Sequence, residues 1–216
     1  MNLTQNIDIY CERLVPGILA EPINFITNIA FFLSFILLFR QYKKRTFGDK
    51  ATAKYSLILI YLVLLMGIGS FIFHLYGTVW AAITDTLPIM IFIILYLYLS
   101  IRFFLNQSII IAILSVVAFL SFNFFLSYVG IKEISSYLMA LFSMLVISIL
   151  AYQRKEHDIS MGLLISSLIF IISLTFRQID ALTCSYLSIG THWVWHILNA
   201  ILLYVLVILF MDKKLR

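Results

Sequence analysis

The chain is written in long apolar stretches separated by short polar ones. Segments of about 20 apolar residues, enough to cross roughly 30 Å of hydrocarbon, recur at 22–39, 56–76, 80–101, 108–128, 134–152, 160–177 and 192–211. The third is interrupted only by Asp85 and Pro88, and the seventh opens on a polar and aromatic cluster. None shows the short in-and-out alternation of an outer-membrane barrel. Backbone N–H and C=O groups in lipid must be paired within their own segment, so stretches of this length read as helices. The pattern predicts an all-α fold, a bundle of seven transmembrane helices in which residues 1–216 form one domain. Composition agrees: 63% of the 216 residues are hydrophobic and 12% charged, which excludes a water-soluble globule and a disordered chain. Residues 1–20 carry Asp8, Glu12 and Arg13 rather than a basic start and an apolar run, so no cleavable signal peptide is expected.

The formal charge of +5 matters through its distribution. Cytoplasmic loops retain lysine and arginine. With seven spans, one side collects Arg40, Lys43, Lys44, Arg45, Lys50, Lys54, Arg102, Arg154, Lys155, Lys213, Lys214 and Arg216, twelve of the 15, and the other side only Arg13, Lys132 and Arg177. The amino terminus is therefore expected outside and the carboxyl terminus in the cytoplasm. Topology accounts for the basic excess, and no nucleic-acid partner is expected. Cys11 and Cys184 both fall on the outer side, where an oxidising compartment permits pairing; two free thiols are the alternative.

Ionisable side chains within or at the ends of spans are costly and mark function. Glu21, His74, Asp85, Asp180, His192 and His196 all lie toward the outer ends of their spans, within about one or two turns of a common depth at 1.5 Å per residue. His192 and His196 are i and i+4, so their imidazoles project from one helix face and can share a metal. Ser70 and His74 repeat that spacing. Three neutral imidazoles, His74 included, make a three-ligand zinc site with one position open to water, chemistry that acidifies the water and polarises a carbonyl. The helix pair lacks the Glu of His-Glu-x-x-His. Asp85 is the carboxylate at that depth, placed to orient water and accept its proton, and Ser70 is placed to donate to the developing oxyanion. A lone intramembrane histidine can instead bond between helices, but two i, i+4 pairs and a carboxylate at one depth favour a metal. Trp80, Trp193 and Trp195 read as interface anchors, and Gly67 and Gly69 as close-packing positions.

Taken together these residues resemble a known family. Ser70-x-x-x-His74, then Asp85 in Asp85-Thr86-Leu87-Pro88, then Thr191-His192-Trp193-Val194-Trp195-His196 resemble the alkaline ceramidases, within a wider superfamily of seven-span membrane hydrolases and receptors. Tyr10-Cys11-Glu12 with Glu21-Pro22-x-Asn24-x-x-x-Asn28 resembles the same family's amino-terminal signature, so the resemblance covers essentially the whole chain. It implies a zinc-dependent amidase that hydrolyses ceramide to a sphingoid base and a fatty acid. Zinc would sit on His74, His192 and His196, Ser70 would stabilise the oxyanion, Asp85 would act on water, and Cys11 would pair with Cys184. Eukaryotic members also carry a calcium site in an Asp-Trp-Cys-Glu-Glu-Asn stretch plus a later Glu. Here Glu12 and Glu21 match, but Ile9 and Leu14 stand at the Asp and Asn positions, and Asp8 substitutes only through a one-residue shift. These departures weigh against calcium and leave Asp8, Glu12 and Glu21 as a second metal group or a structural one.

The minimal loops fit a bacterial member in the inner membrane, its site open to the non-cytoplasmic half of the bilayer and its substrate a ceramide-like lipid. The lipid tail is expected between spans 2, 3, 5 and 7, against surfaces of the Phe71, Phe73, Leu87, Leu141 and Leu198 type. A hydrolase of another lipid amide or ester, GPI-type remodelling included, would share the scaffold. A channel, transporter or receptor in which Asp85 and the histidines relay protons or bind a ligand is the alternative of a different class.

Overall fold

All seven apolar stretches are helical in a computed structural model that describes residues 2–131 and 134–213; Lys132, Lys214 and Arg216 of the charge pattern lie outside the described residues. Pro22–Thr27 (α1) and Ile29–Lys44 (α2) make the first span, and Lys50–Tyr76 (α3) the second. Val79–Leu99 (α4) is continued by a π-helical turn, Ser100–Phe104, as the third. Ile109–Tyr128 (α5), Ser135–Gln153 (α6), His157–Thr183 (α7) and His192–Met211 (α8) complete the set.

Some helices overrun their apolar windows. α3 begins at Lys50 rather than 56 because Asp49 caps it, accepting from the Thr52 N–H at 2.8 Å, and it stops at Gly77, whose φ of 55° closes the helix. α7 runs on to Thr183 rather than 177, which puts Arg177 and Asp180 on the helix. The first span is two helices, not one: Asn24 and Asn28 are fully buried, and the Asn28 amide donates to the Asn24 carbonyl at 2.8 Å where the helix resets.

α3 packs against α2, α4 and α8, α7 against α6 and α8, and α8 closes the bundle against α2. α3 and α8 are the most enclosed helices. α5 is the least enclosed and turns Ile110, Leu114 and Phe124 outward.

Gly69 brings α3 close to α4. A Cβ at that position would run into the Thr84 carbonyl oxygen, the oxygen that Pro88, four residues on and lacking an N–H, cannot bond. Gly69→Val is expected to force the two helices apart at a cost of about 1–3 kcal/mol, the penalty for overfilling a packed interface. The measurement is Tm of the purified protein beside Ile68→Val, an outward-facing control that should leave it in place.

Residues 2–21 form a strap across the end of the bundle where α3 meets α4. The Ile7 N–H donates to the Gly77 carbonyl at 2.7 Å, Val79 N–H to Gln5 at 3.1 Å and Trp80 N–H to Leu3 at 3.0 Å. A disulfide between Cys11 and Cys184 ties the strap to the α7–α8 loop. Glu12 accepts from the N–H groups of Ile23 and Asn24 at 2.5 and 2.8 Å, capping α1.

Candidate metal centre

Three imidazoles meet beneath the strap. His74 comes from the last turn of α3, where an apolar helix ends against the strap, and His192 and His196 come from the first two turns of α8. One nitrogen of each lies within 4.8 Å of those of the other two. With 0, 2 and 1% of their surfaces exposed, these rings must find partners inside the protein.

Two of them are held from behind. His74 Nδ1 bonds the Glu21 carboxylate at 2.5 Å, and His196 Nδ1 bonds the Thr27 hydroxyl at 2.9 Å. That leaves Nε2 of His74, Nε2 of His196 and Nδ1 of His192 buried without a hydrogen-bond partner. Buried ring nitrogens without partners are costly, and three imidazoles this close together could share a cation. An imidazole whose second nitrogen is fixed by a carboxylate or hydroxyl is the usual arrangement around a metal. The residues therefore fit a transition-metal ion with three nitrogen ligands, the zinc-type donor set.

Glu21 has further partners: Arg13 Nε at 2.6 Å and the Asn24 amide at 3.1 Å. Burial alone would push its carboxyl up, but the hydrogen bonds and charges of His74 and Arg13 hold it below the ordinary carboxylate range. Asp8 is exposed on the strap, and Glu12 is occupied with the start of α1. Among the described residues the three histidines are the only such group of three or more possible metal ligands, and Asp8, Glu12 and Glu21 do not form one. Asp180 is turned to the backbone. It accepts from the N–H groups of Thr191 and His192 at 2.6 and 2.9 Å and from that of Cys11 at 3.0 Å, pinning the start of α8 to the strap.

Three residues at the site went unnoticed as functional in the sequence. Tyr10, there only a motif position, stacks on His192 with ring centroids 3.6 Å apart. Burial pushes its phenol further up, so it remains a neutral O–H. Arg177 interacts with the Tyr10 hydroxyl and lies over the rings of Tyr137 and Trp195 at 5.2 and 5.5 Å. Thr27 was detectable: with Asn24 and Asn28 it makes an i, i+3, i+4 polar face on an otherwise apolar span.

An apolar cavity opens below the histidines. Ser70, Asp85 and His196 line one end, and it continues past Phe92, Trp195 and Leu203 to Ser100 and Leu206. From His196 to Leu206 is about 15 Å along α8 at the helical rise. Asp85 interacts with the Ser70 hydroxyl and lies in the field of His74 and Arg177. The wall is not built from Phe71, Phe73, Leu87, Leu141 and Leu198. Phe71 packs on Phe25 and Phe32, Phe73 on Tyr10, and Leu87 faces outward, while Met66, Ile89, Tyr137, Ala140 and Leu202 take the wall. Nor is Trp195 an interface anchor: it is 6% exposed, packed on Tyr137 and Phe170.

The family model for Ceramidase matches residues 4–214, a range that takes in the strap, all three histidines, Ser70, Asp85 and the whole of α8. The chain belongs to the Ceramidase family. No curated protein matches it. Membership of the Ceramidase family implies a hydrolase of amide bonds with a lipid substrate. The seven long apolar helices fit a multi-pass membrane protein of that kind, and its buried histidine group could hold a metal ion.

Proposed function

We propose that this Ceramidase family chain is a zinc-dependent intramembrane amidase that cleaves ceramide or a ceramide-like lipid to a sphingoid base and a fatty acid. The observation that carries this reading is three buried imidazoles gathered within reach of one ion, one of which, His196, lines an apolar cavity together with Ser70 and Asp85. A zinc ion held by His74, His192 and His196 would supply Lewis acidity to a water and to the amide carbonyl. The cavity takes the acyl chain and excludes bulk water, which brings the amide to the polar end. There the Asp85 carboxylate accepts a proton from the attacking water and returns it to the departing nitrogen. The Ser70 hydroxyl donates to the carbonyl oxygen as charge builds on it. Water is consumed, the C–N bond breaks, and a carboxylic acid and an amine leave.

The charge pattern supports a site on the non-cytoplasmic side, and the minimal loops are the feature that favours a bacterial inner membrane. A disulfide at the same end of the bundle agrees, since such bonds persist in oxidising compartments.

Purified protein given labelled ceramide is expected to release fatty acid, to lose that activity on treatment with a zinc chelator and to regain it when zinc is restored. Hydrolysis indifferent to chelation would sink the zinc mechanism. A preference for an ester or a GPI lipid over ceramide at equal concentration would replace the substrate.

A further inference from the structure

We infer that Arg13 is a built-in cation of the strap which holds Glu21 on His74 in place of a second metal ion, making the histidine site independent of calcium. This rests on reading the three histidines as a metal site.

The Arg13 and Glu21 side chains are both 1% exposed, with Nε and Oε1 2.6 Å apart. The other Glu21 oxygen meets His74 Nδ1 at 2.5 Å. One carboxylate therefore joins a fixed positive charge to the back of a candidate ligand. A carboxylate buried this deeply is strongly unfavourable without a cation beside it, so some positive charge is required at that point.

The protein has made room for a guanidinium there. A Cβ at residue 77 would strike the Arg13 guanidinium, so this close approach needs a glycine, and Gly77 also takes a φ of 55°. Arg13 Nη1 reaches the Gly17 carbonyl at 3.4 Å. The strap on one side and the α3–α4 turn on the other thus enclose the charge.

A divalent ion in the same role would need about six to eight oxygen ligands if it were calcium. They are not gathered here. Glu12 is spent on the Ile23 and Asn24 N–H groups, Asp8 is exposed, and Ile9 and Leu14 are exposed and offer no side-chain oxygen. Arg13 supplies a positive charge that cannot dissociate. It is a positioning residue, acting on the metal through Glu21 and His74.

The test is zinc affinity of the full-length purified chain, measured by elemental analysis under increasing concentrations of a zinc-selective chelator, with excess calcium or with EGTA. Wild type is expected to hold zinc equally in both. Arg13→Met should weaken retention by about 10–100-fold, the usual cost of losing an outer partner of a ligand, and Arg13→Lys should stay closest to wild type. Where Arg13→Met fails to form the Cys11–Cys184 disulfide, Arg13→Met combined with Glu21→Gln removes the stranded charge and should still weaken zinc binding.

Calcium co-purifying at one per chain, or raising wild-type zinc affinity, overturns the inference, as does unchanged affinity in the single and double variants. A wild-type chain that holds no metal under any condition overturns the underlying reading and this inference with it. Zinc-loaded wild type with unaffected variants overturns this inference alone.

Discussion

His192→Ala is expected to give a chain that folds, keeps its disulfide and holds no stoichiometric zinc. Its fatty acid release should fall by more than the roughly hundredfold that follows loss of an outer-shell partner. The fold survives because α8 is anchored through backbone: Asp180 accepts from the N–H groups of Thr191 and His192, and neither bond involves the imidazole. Removing the ring also removes a buried nitrogen that has no hydrogen-bond partner in the protein, so the metal-free variant loses no bond by the change. Tyr10 loses its stacking surface, a smaller effect confined to the strap. Metal content and hydrolysis should be read on one preparation. Full zinc with full activity would take His192 out of the site.

Asp85→Asn should do the opposite to the metal and nearly the same to the rate. Asparagine has the shape of aspartate and can still bond the Ser70 hydroxyl, but it cannot take a proton from water. Loss of a positioned general base costs about 10²–10⁴-fold. Asp85 is not among the three residues that converge as ligands, so zinc should remain at the wild-type level. The two substitutions thus separate holding the metal from moving the proton. An Asp85→Asn protein that hydrolyses ceramide at the wild-type rate would leave proton transfer to another group, and the Tyr10 hydroxyl, stacked against His192, would be the next to change.

The spans and the depth of the polar residues were legible because both depend on distance along a helix. His192 and His196 share a face whatever the rotation of α8, since an i, i+4 relation is internal to the helix. Which face each helix turns inward was not legible. α3 is apolar nearly all round, so little in its residue pattern marks an inward side. For that reason Phe71 and Phe73 were expected on the cavity wall that Met66 and Ser70 in fact occupy.

The partners of the carboxylates were hidden for another reason. Glu21 and Asp180 look alike as acidic residues at span ends, yet one answers an imidazole and an arginine while the other answers three backbone N–H groups. Free N–H groups at the start of α8 attract a carboxylate as a metal does. Only three-dimensional placement distinguishes them. The helix boundaries slipped at Asp49, where a cap outweighed hydropathy for α3, and beyond Arg177, where α7 runs on through Asp180 and its bonds to the strap and α8.

The two halves of the strap's lock are separated by 173 residues of chain. At a ribosome's pace of about 5–20 residues per second, Cys11 waits on the order of ten to thirty seconds for Cys184 to be made. Until then the strap has no covalent tether, and the histidine over which Tyr10 will lie has not yet been translated. A nascent or stalled chain lacking the final span has one of the three imidazoles. On the proposed mechanism, hydrolytic competence therefore arrives late in biosynthesis, and an unfinished copy left in the bilayer would not attack the lipids around it.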